Sequence, residues 1–160
     1  MELALLAVGR LRSHYRQAAD DYARRIGHYA RLTEIEIREA SRAGTVARQR
    51  SEEADRLRQR LPAGAIMVAL ARGGSAWSSA ELARRLAHWQ PQGRPVVFVI
   101  GGSFGLDAGF TAAAAHRWSL GAITLPHELA RVVVLEQLYR GFTILRGEPY
   151  HKGGDEAVRK

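Results

Sequence analysis

The sequence predicts an α/β fold in which a mainly parallel sheet carries flanking helices on its faces. Apolar runs of strand length alternate along the chain with stretches of helical periodicity, as in consecutive strand–helix–strand units. The run Val96–Ile100 contains only β-branched and aromatic residues, which is typical of a buried strand. The chain has 160 residues, of which 46 % are apolar, and this is enough for one domain with a sizeable core. We therefore expect a single domain over 1–160, with 153–160 as a candidate disordered extension.

Four elements are predicted in the first part of the chain. Leu3–Val8 is an apolar run of strand length, and Ser13–Tyr29 carries apolar residues near helical spacing. Glu34–Arg38 alternates polar and apolar residues with the period of a half-buried or edge strand. Val46–Leu61 indicates a very polar helix that has few residues to bury.

The middle of the chain predicts a strand and a capped helix. Ile66–Leu70 is a short apolar run typical of a buried strand. Ser78 and Glu81 have the spacing of a capping box, in which each side chain bonds to the backbone of the other residue. A helix is therefore expected from this box to about Trp89.

Two chain breaks lie close together in the last third. The strand that ends at Ile100 breaks into a glycine turn, which a short alanine-rich helix near Asp107–Ala115 follows. A second short apolar segment runs to Leu125 and breaks at Pro126, before a long helix predicted over His127–Arg146. The part of this helix at 132–135 is apolar on all sides, which predicts burial against the sheet or a partner. Backbone groups left unpaired at such breaks need partners, and a flat polar cofactor is one candidate.

The net charge of the chain is +8, and arginine supplies nearly all of its positive charge. An excess of this kind favours an anionic partner, most plausibly nucleic acid. A compositional bias towards arginine on ordinary solvated faces would give the same charge. The charge alone leaves both interpretations open.

Other classes of protein are disfavoured by composition. The absence of cysteine excludes a disulfide framework, a thiolate zinc site and a cysteine nucleophile, and it is compatible with the cytoplasm. The six histidines form no H-E-x-x-H or similar pair, so no metal site is expected. Leu3–Val8 is too short to span a membrane, and the acidic Glu2 precedes it where a secretory signal carries basic residues. We expect neither membrane insertion nor export.

Glycine pairs follow two of the predicted strands. Gly73-Gly74 comes shortly after Leu70, and Gly101-Gly102 comes directly after Ile100. Ligands of open α/β sheets bind outside the carboxyl ends of the strands, where these pairs are expected. Glycines also make tight turns without any ligand, and for Gly73-Gly74 alone a turn is the favoured interpretation.

One motif suggests a serine hydrolase. Gly101–Gly105 fits G-x-S-x-G and stands between a strand and a helix, as a nucleophile elbow requires. Ser103 would then be the nucleophile, with Glu136 or Glu148 as the acid and His151 as the base. Little chain remains after Ser103 to build the loops of such a triad, and the whole chain is small for that fold. The hydrolase is therefore retained only as an alternative.

Aromatic and cationic residues gather towards the end of the chain. They are Tyr139, Arg140, Phe142, Tyr150, His151 and Lys152. Such groups suit base stacking combined with phosphate neutralisation. A frayed terminus with a few packed rings would have the same composition.

Several segments taken together resemble the ribosomal RNA large subunit methyltransferase H family of the SPOUT class. They are Ile100–Gly102, Trp118–Leu120, Thr124–His127, Arg131-Val132, Glu136–Arg140 and Arg146–Lys152, and the opening Leu6–Gly9 and the run Leu70–Trp77 agree with them. The resemblance covers nearly the whole chain in order. It implies a SPOUT-type α/β sheet with a C-terminal trefoil knot. It also implies a homodimer that uses S-adenosylmethionine to methylate N3 of a pseudouridine in large-subunit ribosomal RNA of assembled ribosomes.

The resemblance also implies roles for individual residues. The residues expected to line the cofactor pocket are Leu70, Gly101, Gly102, Leu120, Gly121, Ala122, Ile123, Thr124 and Leu125. Tyr150 and His151 are expected at the target nucleotide, with His151 as the candidate general base for the N3 proton. Arg140 is expected near the active site or dimer seam, and Arg131 and Lys152 are expected to contact RNA.

Two residues depart from what the resemblance leads us to expect. Phe104 stands where a smaller or more polar residue is expected, and Glu128 brings an acid to the start of the last helix. A carboxylate there is unfavourable beside phosphate, so we expect this helix start to point elsewhere. A non-catalytic ribosome-binding module that kept the pocket shape remains a further alternative.

Overall fold

A five-stranded sheet, parallel throughout, forms the centre of the protein. The computed structural model describes residues 1–151, the last of them by its backbone alone. The strands are β1 (Glu2–Val8), β2 (Arg31–Ile37), β3 (Ile66–Ala76), β4 (Val96–Ile100) and β5 (His116–Ser119). The helices are α1 (Ser13–Ile26), α2 (Val46–Arg58), α3 (Ser79–Trp89), α4 (Ala108–Ala112) and α5 (His127–Arg146). Short 3-10 helices occupy Gln90–Gln92 and Pro149–His151.

The strand order is β2-β1-β4-β3-β5, so the first strand of the chain lies inside the sheet. Each neighbouring pair is parallel, with Leu3 of β1 opposite Val96 of β4 and Ile66 of β3 opposite the same residue. The predicted α/β class with a parallel sheet is therefore confirmed. The alternating strand β2 lies at one edge, as its period of two indicates.

Apolar cores lie on both faces of the sheet. Leu3, Leu5 and Ala7 of β1 pack with α1, α3 and α5 on one face, and the alternate residues of the same strand pack with α2 and α4 on the other. A strand turns successive side chains to opposite faces, so a strand covered on both sides needs an unbroken apolar run. This requirement explains why β1 and β4 show no polar alternation.

The predicted helix boundaries are largely confirmed. Helix α5 spans His127–Arg146 as expected, and the capping box at the start of α3 is present, with Ser78 N donating to Glu81 Oε2 over 2.8 Å. The all-round burial predicted for 132–135 is only half right. Val134 and Leu135 are fully buried, whereas Val132 and Val133 remain partly exposed.

The prediction for Gly73-Gly74 was wrong. Strand β3 does not end at Leu70 but continues to Ala76 through a bulge between Leu70 and Ser75. A Cβ atom on Gly74 would lie 2.6 Å from the carbonyl carbon of Arg117 in β5. Glycine is therefore required at position 74 by the close approach of two strands, and not by a turn.

Strand β5 pairs with the bulged strand β3. The sequence indicates it only as part of a short apolar segment. Its four residues are too few to show a period. No helix within residues 1–151 combines the length and the apolar character needed to cross a bilayer.

Candidate functional site

The predicted cofactor residues gather at the carboxyl edge of the sheet. Gly101-Gly102 follows β4 directly, Leu70 lies in β3 just before its bulge, and the loop 120–126 follows β5. Because all five strands are parallel, these chain ends lie along one edge. This is the edge at which open α/β sheets bind their ligands.

The turn after β4 leaves no room for a side chain at Gly101 and little room at Gly102. A Cβ atom on Gly101 would lie 2.6 Å from the carbonyl carbon of Gly105, and one on Gly102 would lie 3.0 Å from Cγ1 of Val8. The amide of Gly105 donates to the carbonyl of Gly102 over 3.0 Å and closes the turn. The turn is therefore tightly packed at Gly101 and Gly102, which are both buried, and residues 103–105 form its exposed part.

The loop after β5 offers unused backbone groups. The amide of Gly121 donates to Ser119 Oγ over 3.2 Å, but within the described residues the amides of 122–125 donate to no backbone carbonyl. Ile123 is 71 % exposed, which is high for so apolar a side chain. Thr124 Oγ1 accepts a hydrogen bond from Arg72, which holds the loop against the bulge of β3. Such a segment fits a ligand with an apolar face and polar edges, such as a nucleoside.

A second group of predicted residues surrounds the carboxylate of Glu136 on α5. Arg140 donates to Glu136 Oε1 through Nη2 at 2.6 Å and Nε at 3.0 Å, and Tyr150 donates to the same oxygen over 3.1 Å. The guanidinium of Arg140 lies 5.0 Å from the ring centre of Tyr150. The resemblance implied that Tyr150 and Arg140 both lie near the active site. The sequence did not show that both donate hydrogen bonds to Glu136.

The ionisation of this cluster follows from its geometry. Burial, followed by hydrogen bonding with Tyr22 and the charge of Glu136, raises the pKa of Tyr150 far above its usual value. Glu136 likewise raises the pKa of Arg140. The cluster therefore holds a protonated phenol and a guanidinium around one carboxylate.

Arg131 lies inside the protein. Its side chain is 1 % exposed, and it donates to Glu36 Oε1 over 2.6 Å and to the carbonyl of Gly9 over 2.8 Å. It therefore ties α5 to the ends of β1 and β2. A guanidinium in this position is not presented to a phosphate, although the sequence suggested an RNA contact.

The start of α5 is directed towards the loop after β1. Glu128 accepts hydrogen bonds from the amide of Arg12 over 2.8 Å and from its Nε over 2.9 Å. The amide of Arg12 is the main reason why the pKa of this carboxylate is lowered. The unexpected acid is thus used within the fold.

Glu136 and the cofactor loop are far apart along α5. Glu136 is ten residues beyond Pro126, and an α-helix rises about 1.5 Å per residue, so about 15 Å separate them. Methyl transfer requires reacting atoms to lie about 3 Å apart. About 15 Å of helix therefore lies between the Glu136 cluster and the start of the loop that leads into α5.

Ser103 lacks the surroundings of a hydrolase nucleophile. Its Oγ lies 3.3 Å from Glu39 Oε1, and among the described side chains no histidine bonds to it. Within residues 1–151, no group of three or more His, Cys, Asp or Glu residues is placed to hold a metal ion. Lys152 and the extension 153–160 lie outside the described residues, as does the side chain of His151.

Comparison with known proteins finds several chains that are similar over nearly the whole length. The family described as "Predicted SPOUT methyltransferase" matches residues 1–151. A relative from Anaeromyxobacter sp. (strain Fw109-5), named "Ribosomal RNA large subunit methyltransferase H", is 44 % identical over 153 residues, which are 95 % of this chain and all of the relative. A protein of the same name from Rubrobacter xylanophilus is 51 % identical over 152 residues, covering 92 % of this chain and 96 % of its own.

A solved structure shows the same fold at much lower sequence similarity. The probable methylase family protein from Haemophilus influenzae Rd KW20 matches with a TM-score of 0.55 and 12 % identity. The match covers 94 % of this chain and 70 % of that one.

Proposed function

Because the chain belongs to the SPOUT methyltransferase family, we propose that it transfers the methyl group of S-adenosylmethionine to N3 of a pseudouridine in large-subunit ribosomal RNA. The observation that carries this proposal is the near full-length similarity to relatives named for large-subunit ribosomal RNA. The tight turn after β4 and the open loop after β5 lie at the edge where open α/β sheets bind their ligands. The excess of positive charge suits assembled ribosomes as the substrate, and this substrate would place the protein in the cytoplasm.

The residues at the carboxyl edge fit S-adenosylmethionine. Gly101 and Gly102 keep the turn after β4 tightly packed, and the free amides of 122–125 can donate to the polar edges of adenine and ribose. Leu70 and the apolar side chains of the loop can cover the flat faces of the base. When bound, the cofactor supplies an electrophilic methyl group. The task of the protein is then to hold the target ring nitrogen in line with it.

The target nitrogen must lose a proton before or during the transfer. We assign this proton to His151, because an imidazole has an intrinsic pKa of about 6.5 and exchanges protons near neutral pH. Tyr150 stays protonated, since its pKa is raised, and is suited to stacking or to donating a hydrogen bond. Arg140 and Glu136 hold its ring and hydroxyl in place.

The separation along α5 favours a homodimer in which each site uses both chains. Leu129 and Val133 are partly exposed and apolar, and they share a face of α5 with Glu136 and Arg140. Packing this face against a second copy would cover the apolar side chains. The same contact would bring the partner's Tyr150 and His151 towards the cofactor loop.

The two residues predicted to contact RNA, Lys152 and Arg131, are assigned different roles. We propose that Lys152 contacts RNA directly, because it extends the aromatic and basic end of the chain. Arg131 acts through the fold, because its guanidinium is buried and bonded. Its contribution is to place the start of α5 beside the sheet edge.

Methyl transfer to ribosomes tests the proposal. We would incubate the protein with labelled S-adenosylmethionine and ribosomes that lack the modification, and then locate the label by nuclease digestion and mass spectrometry. Label at N3 of one pseudouridine is the expected result. Cofactor binding without label would indicate another RNA substrate, and the absence of both would refute the proposed function.

Two variants separate the roles of the residues. His151→Ala should lower methyl transfer strongly while calorimetry still detects cofactor binding, because the base lies outside the cofactor pocket. Ser103→Ala should keep activity within a few fold. Complete loss in Ser103→Ala would revive the serine hydrolase, and equal loss of binding and transfer in His151→Ala would contradict its assignment as the base.

A further inference from the structure

A basic pocket lies at the opposite edge of the sheet from the cofactor segments. We define the basic pocket by its cationic and titratable lining residues, Arg84, Arg85, His88, Arg94 and His116. It has a volume of about 500 Å³, and Ile66 and His116, which line it, are the first residues of β3 and β5. A strand of five residues at about 3.3 Å each spans about 16 Å, so the pocket lies roughly that far from the turn after β4.

Among the described residues, no carboxylate lies within 4.0 Å of the arginines of the basic pocket. Eight other arginines of the described chain lie within 4.0 Å of an acidic side chain, but Arg84, Arg85 and Arg94 do not. Glu81 is the acid among the described lining residues, and its Oε2 accepts the amide of Ser78 at the capping box. Its negative charge offsets one of the three arginine charges, so the pocket keeps a net positive charge.

Two of the three arginines are held in place by contacts within the fold. The guanidinium of Arg85 lies 4.0 Å from the ring centre of Trp77, and Arg94 Nε donates to the carbonyl of Gly64 over 2.7 Å. Trp89, which is 2 % exposed, supplies a rigid apolar wall. Stacking of a guanidinium on an aromatic ring leaves its edge free to donate to an anion.

The surroundings of His116 show that these cations share one space. Burial, followed by the charges of Arg85 and His88, lowers its pKa. Near neutral pH it is therefore an uncharged imidazole that can donate one hydrogen bond. A concave surface with two forked guanidinium groups, a third anchored one and neutral hydrogen-bond donors matches the oxygen atoms of a phosphodiester.

We propose that the basic pocket binds the phosphodiester backbone of the substrate RNA at a point remote from the methylated base. This inference rests on the proposed function, because it takes RNA as the substrate. The contact would be independent of base sequence and would fix the orientation of the protein on the RNA. It gives the protein a second point of attachment about one strand length from the cofactor.

Paired substitutions that change the same charge test this proposal. We would compare Arg84→Gln/Arg94→Gln with the control Arg31→Gln/Arg60→Gln, whose residues are exposed, lie outside the pocket and have no carboxylate within 4.0 Å in the described chain. Filter binding would measure Kd for deproteinised large-subunit ribosomal RNA between 50 and 200 mM salt, because affinity that depends on phosphate contacts falls strongly over this range. Arg84→Glu is the second pocket variant, because Arg84 makes no contact that the fold needs.

The expected result is a loss of RNA affinity confined to the pocket variants. Two lost phosphate contacts should make the slope of log affinity against log salt shallower by about 1.4 to 1.8, with about a tenfold increase in Kd. Calorimetry should show unchanged binding of S-adenosylmethionine, and KM for ribosomes should rise while kcat stays the same. An equal loss in the control would show that net charge alone acts, and unchanged Kd in both pocket variants would overturn the proposal.

A titration with inorganic phosphate separates a small anion from RNA. Phosphate binding that the pocket variants abolish, with RNA affinity unchanged, would make this a small-anion site and overturn the proposal. The RNA-binding measurement does not need catalysis. Loss of affinity in the pocket variants of a protein that methylates no ribosome would therefore support the pocket while refuting the proposed function.

Discussion

Arg131 is a buried cation that joins three chain segments. Its guanidinium bonds to Glu36 on β2 and to the carbonyl of Gly9 after β1. Replacing it by Met would leave that partly buried carbonyl without the bond from Arg131 and separate Glu36 from one of its cations. Because Glu36 is partly exposed, we expect Arg131→Met to lower the free energy of unfolding by about 2 to 3 kcal/mol, as measured by urea denaturation.

The control for this substitution is Arg84→Gln, an exposed arginine without an ion pair in the described chain. It should leave the free energy of unfolding within about 0.5 kcal/mol of the original. Unchanged stability of Arg131→Met together with weakened RNA binding would show that Arg131 reaches RNA after all.

Tyr29 predicts a loss of stability at alkaline pH. Its hydroxyl donates to Glu148, and its ring stacks on Phe142 with centres 5.4 Å apart. Burial, followed by its bond to Glu148, raises the pKa of Tyr29 to about 12 in the folded state, whereas an unfolded tyrosine has about 10. The unfolded chain therefore loses this proton first, and the stabilisation, complete below about pH 10, is lost as the pH rises to about 12.

Tyr29→Phe checks this pH dependence. The variant should be less stable than the original at pH 8, where the hydrogen bond is intact, and the difference should shrink between about pH 10 and 12. Thermal unfolding followed by circular dichroism would measure it. A difference that stays constant over this range would show that the hydroxyl does not keep its proton in the fold.

At the scale of single elements, the turn after β4 is the most constrained. A methyl group on Gly101 would lie 2.6 Å from backbone of Gly105, so the turn must open to admit it. We expect Gly101→Ala to raise Kd for S-adenosylmethionine at least tenfold, as measured by calorimetry. The reason is that opening the turn would shift the backbone of both Gly101 and Gly102.

Gly73→Ala is the matched control for that turn. Gly73 lies beside the same sheet edge, has no positive φ and has nothing within 4 Å of its Cβ position. Its Kd should remain within about threefold of the original. Equal losses in both variants would indicate a general sensitivity of this edge and not a specific constraint at Gly101.

Elements with a clear local signal could be predicted from sequence, and those formed by long-range contacts could not. The run Val96–Ile100 and the long helix after Pro126 were predicted because their composition and boundaries identify them. The extension of β3 through its bulge depends on β5, which is distant in sequence. Strand order is likewise a property of pairing and leaves no periodic trace.

The candidate site shows the same division. Its cofactor segments could be predicted from glycine turns and from resemblance, because backbone breaks are visible in sequence. The burial of Arg131 and the bridging role of Glu136 could not, because each depends on partners that the fold alone brings together. The trefoil knot and the roles of the site residues stay predictions.

At the scale of the whole molecule, the proposed shared site can be tested by mixing inactive variants. Gly101→Ala weakens cofactor binding and His151→Ala removes the base, so each alone should be nearly inactive when S-adenosylmethionine is kept well below its Kd for Gly101→Ala. When they are unfolded and refolded together in equal amounts, half of the dimers should be mixed, with one intact site in two. Methyl transfer should return to about a quarter of the original.

Refolding each variant alone is the control for this mixture and should restore no activity. A mixture that stays inactive, although sedimentation shows that mixed dimers form, would place the pocket and the base in one chain. A chain that sediments only as a monomer would contradict the homodimer itself.

The position of β1 inside the sheet has a consequence for biosynthesis. Its apolar residues Leu3–Val8 are made first, yet one of their two neighbours is β4, which begins at Val96. At about 5 to 20 residues per second, the ribosome needs about 5 to 20 s to make the chain between them. During that interval one edge of β1 lacks its partner strand, and its unpaired backbone groups can pair with other nascent chains. We therefore expect this strand order to make refolding slow and to make the nascent chain depend on chaperones.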